Sequence, residues 1–347
     1  MVQKRNAMIR RQFLKATGAT LGAGFAGSAT GETDTSPEAA TDQVDVNVFV
    51  IAAFEVADLK KREGTTDAPG EFQLWYQNYD LTHTVDVPGA FAPVYHNDDG
   101  VAGTVVGIGK TNAASSLTAI LRSPEFDFEN AYFVTAGIAG SPPDVGTLGS
   151  VFVSDGVADW DLVHRWSRSD GEADPHAMMF RPHRPDHAYE LNDGLVKTAH
   201  RLGKRVSLTD SERAKEYRKL YSQETAQSDP FVGVGTTMCG DTYWHGSTFS
   251  DQAAHIAEEY GVSTYATTEM EDFATARVLD RFGHLDRYVS LRSVSNFDQP
   301  HQCQTVQESL AADSGGFRPS VTNVYRVGSE LVDELVENWN HWETRRF

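Results

Sequence analysis

Two segments of the chain carry the side chains best suited to acid–base chemistry and hydrogen bonding. Residues Glu269–Asp272 open a predicted helix, and residues Arg292–Asp298 close a predicted strand. In an open α/β sheet, the carboxyl ends of strands and the starts of helices face the same crevice, where ligands bind. We therefore expect the carboxylates of the first segment and the guanidinium and amide of the second to converge on one site.

The segment Gly107–Asn112 is a third candidate for ligand contact. It lies at a predicted strand-to-helix junction, where free backbone amides and the helix dipole favour an anion or a polar ligand edge. It does not fit the phosphate loop of nucleoside triphosphatases, because Gly103 lies one residue too far from Gly109. It does not fit the dinucleotide fingerprint either, because Asn112 stands where the third glycine is needed. A glycine turn required only for packing is the alternative.

Two further junctions of this kind follow along the chain. Thr135–Gly140 is rich in small residues, which let the backbone approach a ligand closely. Cys239–Trp244 follows another predicted strand and ends in two aromatic side chains. Together with the first three segments, they form five polar or glycine-rich strand ends in a fixed order.

The composition bounds the class of protein. The 347 residues are 40% hydrophobic, which is enough for a sizeable core. The 49 acidic residues outnumber the 30 basic ones and give a formal net charge of -19, which argues against binding to nucleic acid or to an anionic membrane. Arginine is more frequent than lysine, and this bias in an acidic chain suggests a protein that works in high salt.

The first residues look like an export signal. Arg10 and Arg11 precede a short, weakly apolar stretch, as in a twin-arginine signal peptide, and small residues favour cleavage after Ala29. An amphipathic helix of the mature domain is the alternative. We expect a signal peptide over residues 1–29, a disordered linker over 30–43 and a single domain over 44–347, exported as an extracellular or cell-surface protein. No later segment offers the roughly 18 or more apolar residues of a membrane span.

Beyond the linker, strand-like and helix-like patterns alternate. Val46–Ala53 is a continuous apolar run, as in a strand covered on both faces. We expect Asp210 and Ser250 to cap two of the helices and a C-terminal helix to run over about residues 329–342. This alternation predicts an α/β domain with a mostly parallel sheet and helices on both faces. The two cysteines are expected to be separate buried thiols.

The order of the motifs resembles that of the nucleoside phosphorylase superfamily, and most closely the methylthioadenosine/adenosylhomocysteine nucleosidases. The segments that carry this likeness are Gly107–Lys110 with Ala113 and Ala114, Gly137–Gly140, Gly240–Tyr243, Glu269–Glu271 and Arg292–Asn296. From Val46 to the C-terminus the chain also resembles the purine nucleoside permease family, in the segments Asn112–Ala114, Gly137–Gly140, Gly146–Val151, Asp241–Trp244 and Ser295–Pro300. The resemblance implies a three-layer α/β/α sandwich, with a mostly parallel or mixed sheet, that recognises purine nucleosides.

The resemblance assigns the ribose to Met270 and Glu271. A carboxylate can accept hydrogen bonds from two neighbouring hydroxyls, while a methionine packs beneath the sugar. The alternative for Glu271 is an acid favoured by the dipole at a helix N-terminus. Glu269 and Asp272 are expected to be exposed neighbours of this pair.

The resemblance assigns the purine to Tyr243, Trp244 and Asn296. Tyr243 falls where the superfamily stacks an aromatic ring on the base, and Trp244 falls where backbone contacts the base edge; packing in the core is the alternative for both. Asn296 takes the place of an aspartic acid in the nucleosidases. An amide cannot give up a proton, but it can donate a hydrogen bond to purine N7, which favours 6-oxopurines such as inosine or guanosine. Asp298 supplies a carboxylate if its loop turns inward; a solvated aspartate is the alternative.

The nucleophile site departs from the nucleosidase pattern. These enzymes carry a water-activating glutamate after the first strand, where gapless pairing places Ala57, with Glu55 two residues early. Ile138 replaces a small hydroxyl residue. A phosphorylase needs cations to bind phosphate, and Lys110 and Arg292 are the candidates. The backbone of Gly109, Gly137 and Ile138 is the candidate for the other contacts to phosphate or water. A purely structural role is the alternative for both cations.

The expected reaction is therefore N-glycosidic cleavage with water or phosphate as the nucleophile, in which Glu271, Asn296 and Asp298 are the candidate catalytic residues. No redox or metal cofactor is implied, and inorganic phosphate is the one candidate co-substrate. His176, His183 and His187 are more typical of a surface segment than of a metal site. The competing class is a non-catalytic protein that captures nucleosides for a separate transporter. Superfamily members often form homo-oligomers.

Overall fold

The computed structural model describes residues 43–56, 59, 69–167, 176–180 and 187–345, and every structural statement below concerns these residues. Residues Val44–Phe347 form one compact unit. The predicted signal peptide and all but the last residue of the predicted linker lie outside the described residues.

Apolar runs form the strands, and alternating apolar and polar segments form the helices that pack on them. The strands are β1 Val44–Asp45, β2 Val48–Ala52, β3 His83–Val85, β4 Val94–His96, β5 Val101–Val105, β6 Phe126–Asp127, β7 Tyr132–Ser141, β8 Val151–Asp159, β9 Val163–Arg165, β10 Met178–Phe180, β11 Ala188–Glu190, β12 Val232–Cys239, β13 Tyr265–Glu269 and β14 Tyr288–Phe297. The helices are α1 Gln73–Asn78, α2 Lys110–Leu121, α3 Asp193–Gly203, α4 Glu212–Arg218, α5 Glu224–Gln227, α6 Ser247–Glu259, α7 Asp272–Phe282, α8 Val306–Ala311, α9 Phe317–Glu337 and α10 Trp339–Trp342.

Ten strands form a mixed central sheet. Its order is β11-β8-β12-β13-β7-β2-β5-β4-β3, and β14 adds to it by pairing with both β7 and β8. The strands β2, β5, β7 and β14 run parallel, whereas β14 is antiparallel to β8 and β13 is antiparallel to β7. The predicted α/β class with a mixed sheet is confirmed.

The pairings of five strands close a ring. β14 joins β7 to β8, β12 joins β8 to β13, and β13 returns to β7. The return contact is a single residue pair, Thr268 with Gly140, and Gly140 also pairs with Asn296 on its other side. The ends of three strands therefore meet at Gly140.

This ring changes the reason for which the two polar segments converge. The sequence suggested that Glu269–Asp272 and Arg292–Asp298 lie at the same edge of a parallel sheet. They do not, because β13 runs antiparallel to β7 and β14. They meet because β13 ends against β7, on whose other side β14 lies. The convergence was predicted, but its cause is ring closure.

The C-terminal helix begins earlier than predicted. α9 starts at Phe317, within one turn of Pro319. Proline is tolerated in a first helical turn because its missing N–H has no partner inside the helix there. α9 then packs on β7 and β14, with Val327 and Leu331 buried against the sheet.

Two predicted helix caps have other roles. Ser211, and not Asp210, caps α4 by accepting a hydrogen bond from the backbone amide of Ala214, whereas Asp210 pairs with Arg218 at 2.8 Å. Ser250 lies inside the first turn of α6, which begins after Gly246. The side chains of Asp210 and Ser250 instead bind Arg218 and Asp298, and the sequence pattern does not show these partners.

The cysteines are both free, but only one is buried. Cys239 ends β12 in the core, whereas Cys303 is exposed, so the expectation of two buried thiols is wrong for Cys303. None of the helices in the described part of the chain combines the length and the apolar character that a membrane span requires.

Candidate functional site

A buried arginine with acidic neighbours lies at the centre of the candidate site. The guanidinium of Arg292, on β14, is 1% exposed and pairs with Asp272 at 2.6 Å, with Glu269 at 2.9 Å and with Glu271 at 3.6 Å. A fourth carboxyl, that of Glu71, is influenced by the charge of the arginine, and both side chains lie close to Gly137. We call these five residues the arginine cluster.

Glu71 is the functional candidate that the sequence analysis missed. It accepts hydrogen bonds from the backbone amides of Ala53 at 2.7 Å and Ile138 at 2.8 Å, beyond the end of β2 and within β7. A Cβ atom on Gly137 would lie 2.8 Å from its Oε1 atom and 2.5 Å from Nη1 of Arg292. Glycine at 137 therefore allows the carboxyl and the guanidinium to approach each other across the strand.

The two residues that sequence pairing suggested for this carboxylate lie elsewhere. Ala57 is outside the described residues. Glu55 accepts hydrogen bonds from four backbone amides between Val56 and Gln73, at the start of α1. It thus holds the segment that presents Glu71, which comes directly before that helix. The sequence signal for Glu71 is an acidic residue just before an apolar helix. It becomes visible only if the pairing with the nucleosidases allows an insertion after β2 in this chain.

Four carboxyls share one guanidinium, and their burial has an electrostatic consequence. Burial raises the pKa of Glu71 and of Glu271 to about 7, although Arg292 opposes the shift in both cases. Burial, followed by the negative charge of Asp272, raises the pKa of Glu269 to about 8. The expectation that Glu269 and Asp272 are exposed neighbours is wrong, because both are buried ligands of Arg292.

The predicted ribose pair is positioned by a turn at the end of β13. Glu269 accepts hydrogen bonds from the amides of Glu271 and Asp272, which forms this turn and starts α7. Glu271 is 4% exposed, and its Oε1 accepts a hydrogen bond from the amide of Gly109 at 2.9 Å. Met270 is half-buried beside it. Since a carboxylate has about four lone-pair positions, Glu271 retains acceptor capacity.

The junction at Gly109 and Lys110 is closed by internal carboxylates. The amide of Gly109 donates to Glu271, and the amide of Lys110 donates to Asp241 at 2.7 Å. The ammonium of Lys110 pairs with Asp159 at 3.0 Å and with Asp161 at 2.6 Å. Although burial lowers the pKa of Lys110, these two aspartates outweigh it and raise the pKa above its usual value. The start of α2 is therefore already occupied by negative groups.

Asn296 lies at the point where the strand ring closes. Its Nδ2 donates to the carbonyl of Phe297 at 3.0 Å, and its Oδ1 accepts from the hydroxyl of Ser295 at 3.0 Å. A Cβ atom on Gly140 would lie 3.1 Å from this Nδ2 and 3.0 Å from the methyl group of Thr268. Glycine at 140 thus lets the half-buried amide of Asn296 and the side chain of Thr268 lie close to the backbone of β7.

The two predicted aromatic contacts behave differently. Trp244 is 6% exposed and stacks on Trp160, with ring centroids 4.9 Å apart, so its side chain belongs to a core cluster and only its backbone can reach a ligand. Tyr243 is 61% exposed. Asp241, in the same loop, ties this loop to Lys110, which links the aromatic loop to the junction beside Glu271.

Asp298 is buried and held by hydrogen bonds from neighbouring elements. It is 1% exposed, and its Oδ2 accepts hydrogen bonds from Ser250 at 2.7 Å and from Tyr265 at 2.9 Å. Of the two alternatives left open for Asp298, the solvated loop aspartate is excluded by this burial, and its catalytic role stays a prediction. The geometry shows Asp298 in contact with neighbouring elements of the fold and not as a free carboxylate.

Two histidines of the proline-rich segment, His176 and His187, pack against other aromatic rings. His176 stacks on His255, with ring centroids 3.9 Å apart, and His187 is buried beside Tyr260. His183 lies outside the described residues. Within the described ranges, no group of three or more histidine, cysteine, aspartate or glutamate side chains is arranged to hold a metal ion.

Comparison with known proteins decides the family. The sequence model of the family described as purine nucleoside permease (NUP) matches residues 45–346, nearly the whole described chain. The chain belongs to the purine nucleoside permease family. The resemblance found in the motifs is confirmed over the expected part of the sequence.

Two named members of the family are close enough to compare over most of their length. A probable purine nucleoside permease of Schizosaccharomyces pombe is 34% identical over 263 residues, which cover 68% of this chain and 76% of that protein. The purine nucleoside permease of Candida albicans is 28% identical over 294 residues, which cover 77% and 72% of the two chains.

Solved structures share the fold at low sequence identity. The 5'-methylthioadenosine/S-adenosylhomocysteine nucleosidase of Neisseria meningitidis is 18% identical, with a TM-score of 0.53, over 83% of this chain and 99% of that chain. The futalosine hydrolase of Helicobacter pylori is 16% identical, also with a TM-score of 0.53, over 84% and 98%. This chain therefore has a nucleosidase-like fold.

The arginine cluster predicts how stability depends on pH. The folded-state pKa values of Glu71, Glu269 and Glu271 lie above the ordinary value of 4.5, so the folded protein holds these protons more tightly than the unfolded chain. Their contribution is fully present below about pH 4.5 and is lost as the pH rises through 7 to 8. We expect the free energy of unfolding in urea, at constant salt, to fall between pH 5 and pH 8, by on the order of 1–3 kcal/mol per group.

A variant and its control isolate this effect. Glu71→Gln removes one of the titrating groups and should flatten the fall, whereas Glu330→Gln on the exposed side of α9 should leave it unchanged. A wild-type stability that rises over this range, or a Glu71→Gln profile identical to that of the wild type, would contradict the account.

Proposed function

We propose that the protein hydrolyses the N-glycosidic bond of purine nucleosides. The observation that carries the proposal is the position of Glu71, a buried carboxyl beyond the end of β2 that also contacts β7 and lies beside Arg292. A general base is most effective when its pKa lies near the working pH, and burial raises that of Glu71 to about 7. The chain thus has a candidate for the water-activating group that gapless sequence pairing did not find.

The proposed reaction uses four groups in defined roles. Glu271 binds the ribose hydroxyls, with Met270 beneath the sugar, and stabilises the positive charge that develops on the ring. The bond from ribose to the purine nitrogen breaks, and its electron pair goes to the base, where Asn296 donates a hydrogen bond to N7. Water attacks the ribose carbon and loses one proton to Glu71, which passes it to solvent; the departing base anion takes up a proton from solvent, so that free ribose and free base result. Each contact acts on charge that appears in the transition state.

Water fits this site better than phosphate. A phosphate dianion needs cations, and the two that the sequence suggested, Lys110 and Arg292, already pair with carboxylates. Four carboxyls around one guanidinium would repel an anion, whereas a neutral water molecule carries no such penalty. The names of the two solved structures, a nucleosidase and a hydrolase, support the same reaction class.

The proposed substrate class is a 6-oxopurine nucleoside. Asn296 is an amide that can donate to N7 without supplying a proton, and the exposed ring of Tyr243 offers a flat face for the base. The neighbouring Gly140 leaves room at the amide. Inosine and guanosine are therefore the first substrates to test.

A role in nucleoside uptake without catalysis is the second candidate. It is favoured by the name permease, which the relatives from both fungi carry. In this case the same site would capture a nucleoside and deliver it to a separate membrane transporter. Tight binding of inosine without release of hypoxanthine would support this candidate and contradict hydrolysis.

Release of free base tests the proposed reaction. We expect purified protein to release hypoxanthine from inosine at the same rate with and without phosphate. Glu71→Gln should lower kcat by about 100-fold to 10,000-fold, because it removes the general base. Glu330→Gln, a matched change on an exposed part of α9, should leave kcat unchanged.

Two results would contradict this scheme. Base release that requires phosphate would make the protein a phosphorylase. A Glu71→Gln variant that is folded and as active as the wild type would show that Glu71 is not the base.

The amide of Asn296 predicts base selectivity. Asn296→Asp introduces a group that can be protonated and can then donate a proton to N7, so we expect the ratio of kcat/KM for adenosine to that for inosine to rise by about tenfold or more. Steady-state kinetics on both nucleosides measure this ratio. An unchanged ratio would show that Asn296 does not read the base.

We also propose that the protein is exported by the twin-arginine pathway. The support is the sequence of residues 1–29, in which Arg10 and Arg11 precede a short apolar stretch. Replacing both arginines by lysine should retain the full-length precursor inside the cell, as measured by immunoblotting of cell and medium fractions. Equal export of the double variant would contradict the proposal.

A further inference from the structure

Asp298 joins four parts of the structure at one buried point. Its side chain accepts hydrogen bonds from Ser250 on α6 and Tyr265 on β13. Its backbone amide donates to the carbonyl of Ser141 at 2.9 Å, and its carbonyl accepts from the amide of Gly246 at 2.8 Å. A single residue after β14 thus holds the end of β7, the strand β13 and the start of α6 together.

These contacts anchor one end of the loop that carries Tyr243. The loop follows β12, and at its first end the amide of Gly240 donates to the carbonyl of Glu269 and the amide of Asp241 donates to Asp161. At its other end, Gly246 and Ser250 are held by Asp298. Between the two anchors, residues 241–243 are exposed. The position of the exposed aromatic ring therefore depends on both anchors.

The same residue is two positions from Asn296. Asn296 pairs with Gly140, and Asp298 binds the next residue of β7, Ser141. Any shift of Asp298 would therefore move the loop with Tyr243 relative to the amide that is assigned to the base.

A buried carboxyl at this point is costly unless its hydrogen bonds have a use. Its Oδ1 has no hydrogen-bond partner among the described residues, and burial raises its pKa to about 7. An apolar residue would fill the space without this penalty, but it could not hold the hydroxyls of Ser250 and Tyr265.

We propose that Asp298 is a positioning residue for the purine, which fixes the loop 240–246 and its Tyr243 ring opposite the amide of Asn296. The inference rests on the proposed function, since it assumes that these two groups hold a purine base. Asp298 does not touch the substrate in this arrangement. Its loss should therefore weaken binding of the base and leave the bond-breaking step nearly unchanged.

Binding and kinetics of two variants test the proposal. Tyr265→Phe removes one hydrogen bond to Asp298 and keeps the carboxyl, and Asp298→Asn removes the charge. We expect the Kd for hypoxanthine, measured by calorimetry, and the KM for inosine to rise about 3-fold to 10-fold in the first variant and about tenfold or more in the second. The value of kcat should stay within about twofold of the wild type. Asp251→Asn, an exposed change on α6, is the matched control and should alter neither.

The outcomes separate this inference from the proposed function. If Asp298→Asn does not fold, Tyr265→Phe alone carries the test. Suppose that the wild type binds and turns over nucleoside. Unchanged Kd and KM in the folded variants, or a fall in kcat at constant KM, would then overturn the positioning role alone. If the wild-type protein binds neither hypoxanthine nor inosine, the proposed function itself fails.

Discussion

The guanidinium of Arg292 is the constraint on which the site depends. It is buried in β14, and the four carboxyls around it come from two distant parts of the chain: Glu71 before α1, and Glu269, Glu271 and Asp272 between the end of β13 and the start of α7. Burying charged groups costs several kcal/mol per ion, and this cost is recovered only when partners and hydrogen bonds are well placed. An arrangement with more acids than bases is therefore expected to be retained for what it does, with protons shared among the carboxyls at neutral pH.

Closure of the strand ring brings these groups to one place. In the sheet, β13 pairs with β7 at Thr268 and Gly140, and this pairing brings the turn that carries Glu271 close to β14, the strand that carries Arg292. Glycine at 137 and at 140 leaves space on the central strand at the level of the guanidinium and of the Asn296 amide. The proposed ribose and base contacts thus follow from the geometry of one ring and two small residues.

The sequence predicts the frame of the site better than its electrostatics. The apolar run of β2 and the helix that follows Glu271 were visible as patterns, because strand burial and helix ends leave local signals. The partners of Lys110 and Asp298 are not local: Asp159 lies 49 positions from Lys110, and Ser250 and Tyr265 lie 48 and 33 positions from Asp298, so no local pattern indicates them.

Glu71 shows the same limit for the residue that we propose as the general base. Its role depends on where the chain returns after the segment that follows β2, and pairing without gaps with the nucleosidases leads to Ala57 instead. Only the folded arrangement, with the amides of Ala53 and Ile138 on its two oxygens, identifies it.

The fate of the oxygen atom in the nucleophile tests the central claim most directly. Inosine can be turned over in water enriched in the heavy oxygen isotope, with phosphate present, and the sugar product can be analysed by mass spectrometry. If the acidic site around Arg292 activates water, the label appears in free ribose. Unlabelled ribose 1-phosphate, or no sugar product at all, would contradict the account.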